Sequence, residues 1–385
     1  MSENAGSSGG GIGLTHIAII GRGLIGSAAA RHLARDGHQV TLIGPPEPED
    51  KAAHDGIFGS HYDEGRITRA LDPTVFWSDI TRASIARYAD IEAQSGVDFF
   101  TECGGMMLGS QGSDFIEKVS RVQKAGGIAC DRYSGAILEE AFPFFKFEGD
   151  AQAFYEPKGA GYISPRRLVE AQSIAATRAG AKWVDATALG ITESSDSVII
   201  ITDKGEIVAD QVLAAAGGFT NMFLPQPLPV QSYARTITFF EVNPDEAMRL
   251  SRMPALVMQF SDGRDPYVLP PVLYPDGKIY LKIGCEKTDV PLDSLEELKE
   301  WFKGTGNAEI GDYQRSIMME LMPDLRVEST HTNSCMTTFT VDDLPLISRQ
   351  SDRVVVAVAG CGRGAKCSDE LGRMGAAMVL PLSTT

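Results

Sequence analysis

Three glycines set the first chemistry in this chain. Gly21, Gly23 and Gly26 stand in the run Gly21-Arg22-Gly23-Leu24-Ile25-Gly26. At this spacing the first glycine makes a tight bend, the second lets the backbone approach a pyrophosphate, and the third lets a helix pack closely on a strand. Unpaired N–H groups at the helix start, where Leu24 and Ile25 stand, then face the phosphates. The motif points to a dinucleotide, FAD or NAD, and a structural glycine turn is the plainer alternative. Arg66 and Arg69 are three apart and can share a face; two cations there suit an anionic ligand, against a surface basic turn. Lys282 sits among apolar neighbours in Tyr280-Leu281-Lys282-Ile283-Gly284, an unusual place for a charge without a partner or a task. The stretch alternates, however, and an edge-strand lysine facing solvent also fits. Lys366 ends the glycine-rich segment 360–365 ahead of a helical run, so Gly362, Gly364, Ala365 and Lys366 can hold a polar ligand edge on backbone N–H groups and a helix N-terminus.

The elements that must position these groups are legible in part. From His16 to Ile43 the chain reads as one βαβ unit, with HIAII, the glycine turn, a helix through SAAARHLARDG and the strand QVTLI. The second strand of such a unit normally ends in an acid that accepts from the ribose hydroxyls. Here Gly44 follows, and Glu47 and Glu49 come only in the loop PPEPED. Either acid can reach the ribose from the loop, backbone groups alone can hold the adenosine end, or both acids are simply solvated. Residues 225–285 carry the β-branched alternation of antiparallel strands, and 294–303 predicts an amphipathic surface helix. No internal repeat is visible.

Four separated segments, in the same order, resemble one family of flavin amine oxidoreductases, the group containing sarcosine oxidase, N-methyltryptophan oxidase and pipecolate oxidase. They are GSHYDEGRITR from Gly59 to Arg69, YEPKGAGYISPRRLVEA from Tyr155 to Ala171, VLAAAGGF from Val212 to Phe219, and CMTTFTVDDLP from Cys335 followed by AGCGRGAK from Ala359. The resemblance implies FAD as the cofactor. It also implies an α/β fold with a Rossmann-type FAD-binding domain, from 1–90, 151–225 and 331–385, and an inserted antiparallel-sheet substrate domain from 91–150 and 226–330.

The resemblance also assigns roles. Cys335 falls where covalent members attach the flavin as a thioether; a buried small hydrophobe is the alternative. Arg66 lies against the flavin ring, Arg69 and Lys366 grip a substrate carboxylate, and Lys282 assists the reaction with O2, because a fixed positive charge stabilises developing superoxide. Gly44, Ser60, His61, Ala188 and Gly217 join the cofactor contacts. Three positions depart from the sarcosine oxidases: Thr337 replaces a tyrosine, Glu286 a histidine and Arg363 a histidine. Glu286 can pair with a cationic substrate group, take a proton from the amine, or bridge to Lys287. The departures put sarcosine itself in doubt as the substrate.

The chain has 385 residues and a net charge of minus 16, which argues against nucleic acid and anionic membranes as partners. No run approaches the about 18 apolar residues that span a bilayer. The polar start MSENAGSSGGGIG lacks a signal pattern, so a cytoplasmic location is expected. The six cysteines show no regular framework and the six histidines no ligand spacing, and no metal is expected. The reaction implied is oxidation of a secondary amino acid, with O2 reduced to H2O2. Two alternatives remain: a dehydrogenase of the same fold with another electron acceptor, and a flavoprotein whose altered pocket only binds a ligand or partner.

Overall fold

The computed structural model describes residues 15–380, so the polar leader lies outside the described residues. The βαβ unit is present as the strand His16–Ile20, the helix Leu24–Arg35 and the strand Gln39–Ile43, with Ile20 beside Ile43 in parallel register. Both strands belong to a six-stranded sheet in the order Leu346–Arg349, Val354–Val358, Gln211–Ala214, His16–Ile20, Gln39–Ile43, Lys182–Val184. Only its first pair is antiparallel. Apolar runs such as VVVAV belong to strands covered on both faces. The helices Leu24–Arg35, Pro165–Arg178 and Gly364–Val379 pack on one face. The antiparallel meander Ala188–Glu193, Val198–Thr202, Gly205–Ala209 packs on the other.

The three helices are locked by a buried polar centre. Asp369 accepts from Arg31 at 2.7 Å, from Gln172 at 2.9 Å and from Arg87, and both the Arg31 and Asp369 side chains are fully buried. Burial alone would raise the Asp369 carboxyl, but the His32 hydrogen bond and the Arg31 and Arg87 charges hold it well below the usual carboxylate range. Breaking such a pair by removing one partner costs about 3–5 kcal/mol.

The second layer is a nine-stranded sheet. Its central path runs Val290–Leu292, Gln231–Val242, Ile279–Gly284, Tyr267–Leu273, Ala255–Gln259, Gly105–Ser110, Ala151–Glu156, Asp131–Ser134, and Ser329–Phe339 pairs with Gln231–Val242. The expected inserted pieces do meet in one sheet, but the sheet is not wholly antiparallel. Gly105–Ser110 runs parallel to Ala255–Gln259 at the junction of the two pieces. A long stretch of chain separates these strands, so no hairpin turn imposes an antiparallel partner there. Residues 151–156 and 329–339 also pair into this large sheet. The helix expected over 294–303 is present as Leu295–Lys303, opened by a capping box between Ser294 and Glu297, with Leu298 and Phe302 buried.

Candidate active site

A cavity of about 810 Å³ is walled by the glycine turn, the large sheet, and the segment 359–366. The candidate residues read from the sequence, Gly26, Lys282 and the loop acids Glu47 and Glu49 excepted, line this one cavity. Gly26 serves the turn itself, since a Cβ there would lie 1.9 Å from the Gly21 carbonyl oxygen. Gly21 has φ of 113° and a Cβ there would meet the Ala215 carbonyl oxygen at 2.4 Å, so only glycine passes between the strands. Gly23 differs: a Cβ there would meet nothing within 4 Å. The three glycines therefore divide the roles that their spacing predicts, and the middle one faces open space.

Arg66 and Arg69 flank the short strand Arg66–Thr68, which pairs with Gly161–Ile163. Each arginine belongs to a buried charge cluster centred on an aspartate. In the first, Asp63 accepts from Lys282 Nζ at 2.6 Å, from Arg66 Nε at 2.9 Å and from the Tyr274 hydroxyl at 2.8 Å. Lys282 also donates to the Gly65 carbonyl and is 1% exposed. Burial would raise the Asp63 carboxyl, yet the Lys282 and Arg66 charges lower it to about 2. Lys282 thus faces a carboxylate of its own chain rather than the cavity.

In the second cluster Asp72 accepts from Lys366 Nζ at 2.9 Å, with Arg363 Nε at 3.7 Å and Arg69 Nη2 at 4.0 Å. Arg363 also pairs with Asp343 at 2.7 Å. A third carboxylate, the buried Glu156, acts on Arg69 and Lys366 from further off while accepting from the Ala70 and Leu71 N–H groups at 3.0 and 2.7 Å, so the charges of this wall balance but Arg69 has no carboxylate nearer than 4.0 Å. Arg69 Nε reaches only the thioether sulfur of Met107, at 2.8 Å, a weak acceptor. Lys366 opens the helix Gly364–Val379 after a coil in which Ala359 and Cys361 hold φ of 65° and 46°, a conformation rarely taken by residues other than glycine.

Cys335 lies on the strand Ser329–Phe339, opposite Arg235, and its carbonyl is anchored by Trp301 Nε1 at 2.7 Å. Its sulfur accepts from Arg66 Nη2 at 3.3 Å. Cys335 and Arg66 also border a second cavity of about 370 Å³, which Glu47 and Glu49 line as well. Glu47 is held by Arg166 in a two-point contact at 2.7 and 2.8 Å, and neither acid borders the larger cavity. Glu286 does, and it accepts from the Thr236 N–H at 2.6 Å. Burial pushes its carboxyl up to about 7 against the pull of that N–H and of Arg235. Its alternative, a bridge to Lys287, is not formed; the Lys287 ammonium lies over the Tyr313 ring.

Sequence reasoning missed several residues at this cavity. Asp265 lines the cavity along with Glu286, and burial raises its carboxyl too. Asp63 lay inside a quoted motif without being singled out, and Asp72 lay just beyond it. The signal for both was an acid three positions from an arginine.

The cavity fits a large polar cofactor on its own geometry. Arg22 Nε, His61 Nδ1 and Thr337 Oγ1 are buried without a hydrogen-bond partner, and all three residues line it. The His61 imidazole is held neutral, its value lowered to about 3 by burial and by the Arg22, Arg166 and Arg66 charges. A Cβ at Gly23, Gly217 or Gly364 would meet nothing within 4 Å, so backbone N–H groups there can be approached closely. Among the described residues no group of three or more His, Cys, Asp or Glu is placed to hold a metal ion, and no helix is long and apolar enough to cross a membrane.

Comparison with known proteins gives concordant results. The model of the family described as DAO, FAD dependent oxidoreductase, matches residues 16–378. An N-methyl-L-tryptophan oxidase of Yersinia pestis (strain Pestoides F) is 25% identical over 365 residues, covering 93% of each chain. Among solved structures, NikD, an unusual amino acid oxidase essential for nikkomycin biosynthesis, superposes with a TM-score of 0.75 at 19% identity, covering 96% of this chain and 94% of its own. Glycine oxidase from Bacillus cereus ATCC 14579 gives 0.70 at 20% identity, covering 95% and 94%.

Proposed function

The chain belongs to the FAD dependent oxidoreductase family, and from that premise we propose that it oxidises a secondary amino acid, N-methylated or cyclic. The substrate loses two electrons and two protons to become an imine, O2 is reduced to H2O2, and water hydrolyses the imine. FAD, when bound, supplies the two-electron acceptor for this chemistry. The observation that carries the reading is the Asp72 cluster, whose cations line the same cavity as the glycine turn and in which Arg69 has no carboxylate nearer than 4.0 Å. A substrate carboxylate engages those free donors, held by Arg69 through a fork and by Lys366 as a point charge. The N-methyl-L-tryptophan oxidase relative supports a methylated amine as the oxidised group. Glu286, with its carboxyl near 7, can accept the amine proton, leaving the neutral amine from which oxidation proceeds. The glycine turn and residues 362–366 hold the cofactor, with Ser60, His61, Ala188 and Gly217 alongside, and Cys335 Sγ carries it as a thioether.

One observation favours a second reading. Lys282, the residue proposed to assist O2, has its charge offset by Asp63 at 2.6 Å, which weakens any field it exerts on a developing superoxide. A dehydrogenase that passes electrons to another acceptor fits that arrangement.

Anaerobic mixing of the holoenzyme with a panel of N-methyl and cyclic amino acids tests the first reading. Flavin bleaching by at least one member is expected, with peroxide released when O2 is admitted. Bleaching without peroxide selects the dehydrogenase, and no bleaching across the panel leaves a flavoprotein with a binding role. Acid denaturation tests the thioether: yellow colour stays with the wild-type chain and leaves the Cys335→Ala chain.

A further inference from the structure

The strand Gln39–Ile43 ends at Gly44, where dinucleotide folds place the carboxylate that accepts from the adenosine ribose. The position is not merely vacant of an acid. A Cβ at Gly44 would lie 2.7 Å from the Arg22 backbone nitrogen and 2.8 Å from the Arg22 Cβ, so the glycine is what lets Arg22 pass. The Arg22 guanidinium then lies 3.9 Å from the centre of the Trp183 ring, while Trp183 Nε1 donates to the Gly44 carbonyl at 2.8 Å. Gly44, Arg22 and Trp183 form one unit at the outer edge of the parallel sheet, and both Gly44 and Arg22 line the large cavity.

Among the described residues no hydrogen bond or ion pair reaches Arg22, and its Nε is buried without an acceptor. A buried donor left unmade costs about 1–3 kcal/mol, and stacking on Trp183 does not satisfy it. The acids whose charges reach it, Glu170 and Asp185, make no hydrogen bond or ion pair with it, and Asp185 pairs with Lys204 at 3.0 Å; Glu47 is held by Arg166, and Glu49 faces the second cavity.

A carboxylate accepts hydrogen bonds only, whereas a guanidinium donates only and matches phosphate in a fork. We propose that Arg22 replaces the ribose carboxylate and makes the adenosine end of this site an anion-accepting one, open to a phosphate on the ribose 2′ oxygen. In bound FAD, Arg22 donates to ribose oxygens. A 2′-phosphorylated adenosine nucleotide, which the usual carboxylate repels, gains a charge-assisted contact here. The inference rests on the dinucleotide reading of the cavity and concerns only its adenosine end.

The test uses the full-length chain with Cys335→Ser, freed of flavin and titrated with FAD by quenching of flavin fluorescence. Bound FAD is then displaced with adenosine 5′-monophosphate or with adenosine 2′,5′-bisphosphate. The bisphosphate is expected to act at roughly tenfold lower concentration, as one charge-assisted hydrogen bond provides. Arg22→Gln should abolish that preference and weaken FAD, with Arg22→Lys in between. Equal displacement by the two nucleotides from a wild-type Arg22 chain that binds FAD overturns this inference alone, without need of any Arg22 variant. A chain that holds no FAD, with or without Cys335, overturns the dinucleotide reading together with it.

Discussion

The two aspartate-centred clusters are built from the same parts, one buried carboxylate, a distant lysine and an arginine three residues away, yet they differ in tightness. Asp63 takes Lys282, Arg66 and Tyr274 all within 2.9 Å. Asp72 takes Lys366 at 2.9 Å but stands 3.7 Å from Arg363 and 4.0 Å from Arg69. The first cluster has its charges fixed and its donors used. The second keeps unused donors on two guanidiniums, which a ligand can engage. A cavity wall can thus hold similar charge for support in one place and for recognition in another, and the distances separate the two.

The largest effect that would break this comparison is on stability. Asp63→Asn leaves the buried Lys282 and the half-buried Arg66 without a carboxylate and should cost about 3–5 kcal/mol in chemical denaturation. Asp72→Asn should cost less and should lower KM for carboxylate-bearing substrates, because the wall becomes more positive. Equal stability losses in the two variants would erase the distinction. Next in size is Arg69→Ala, which should lower kcat/KM for an amino acid roughly ten- to hundredfold, chiefly through KM. The matching amine without a carboxylate should be unaffected; equal losses for both would remove carboxylate binding from the second cluster.

Acid gives a smaller and sharper test. Asp63 has a folded value of about 2, below the about 3.9 of an unfolded aspartate. Its contribution is therefore full above pH of about 4 and lost as pH falls towards 2, a change of about 2 kcal/mol. Denaturation of wild type and Asp63→Asn at several pH values should show the gap between them narrowing over that window and nowhere above it. The smallest effect concerns Glu286 across the cavity, whose carboxyl sits near 7. The pH profile of kcat/KM should carry a limb near that value, and Glu286→Gln should lose the limb; a profile that keeps it assigns the titration to another group.

The glycine turn was legible because its roles are local: Gly21 and Gly26 are required by atoms of a neighbouring segment and of the same turn, and Gly23 leaves open space beside them. Arg66, Arg69 and Lys366 were legible as residues but not as a charge balance. The aspartates that centre the two clusters lie far from their lysines in sequence, Lys282 being 219 residues from Asp63 and Lys366 294 residues from Asp72, and no periodicity links such pairs. Asp265 was invisible for a similar reason, since only the folded chain brings it to the cavity that Glu286 also lines. Gly44 was seen as a missing acid, while the side chain that takes its room became visible only from the backbone contact with Arg22. The parallel junction at Gly105–Ser110 escaped because strand alternation reports which face is buried and not which direction the neighbour runs.

The buried carboxylate of Asp369 fixes when this protein can become whole during synthesis. It clamps Arg31 of the first helix from a position 338 residues later in the chain, and the helix that carries it also carries Lys366. The glycine turn leaves the ribosome early, but its helix lacks the carboxylate that neutralises Arg31 until that late segment arrives. At about 5–20 residues per second, more than ten seconds separate the two. Throughout that interval the nascent chain presents half a cofactor cradle, so loading follows translation, and a chaperone that shields the first helix has a defined window in which to act.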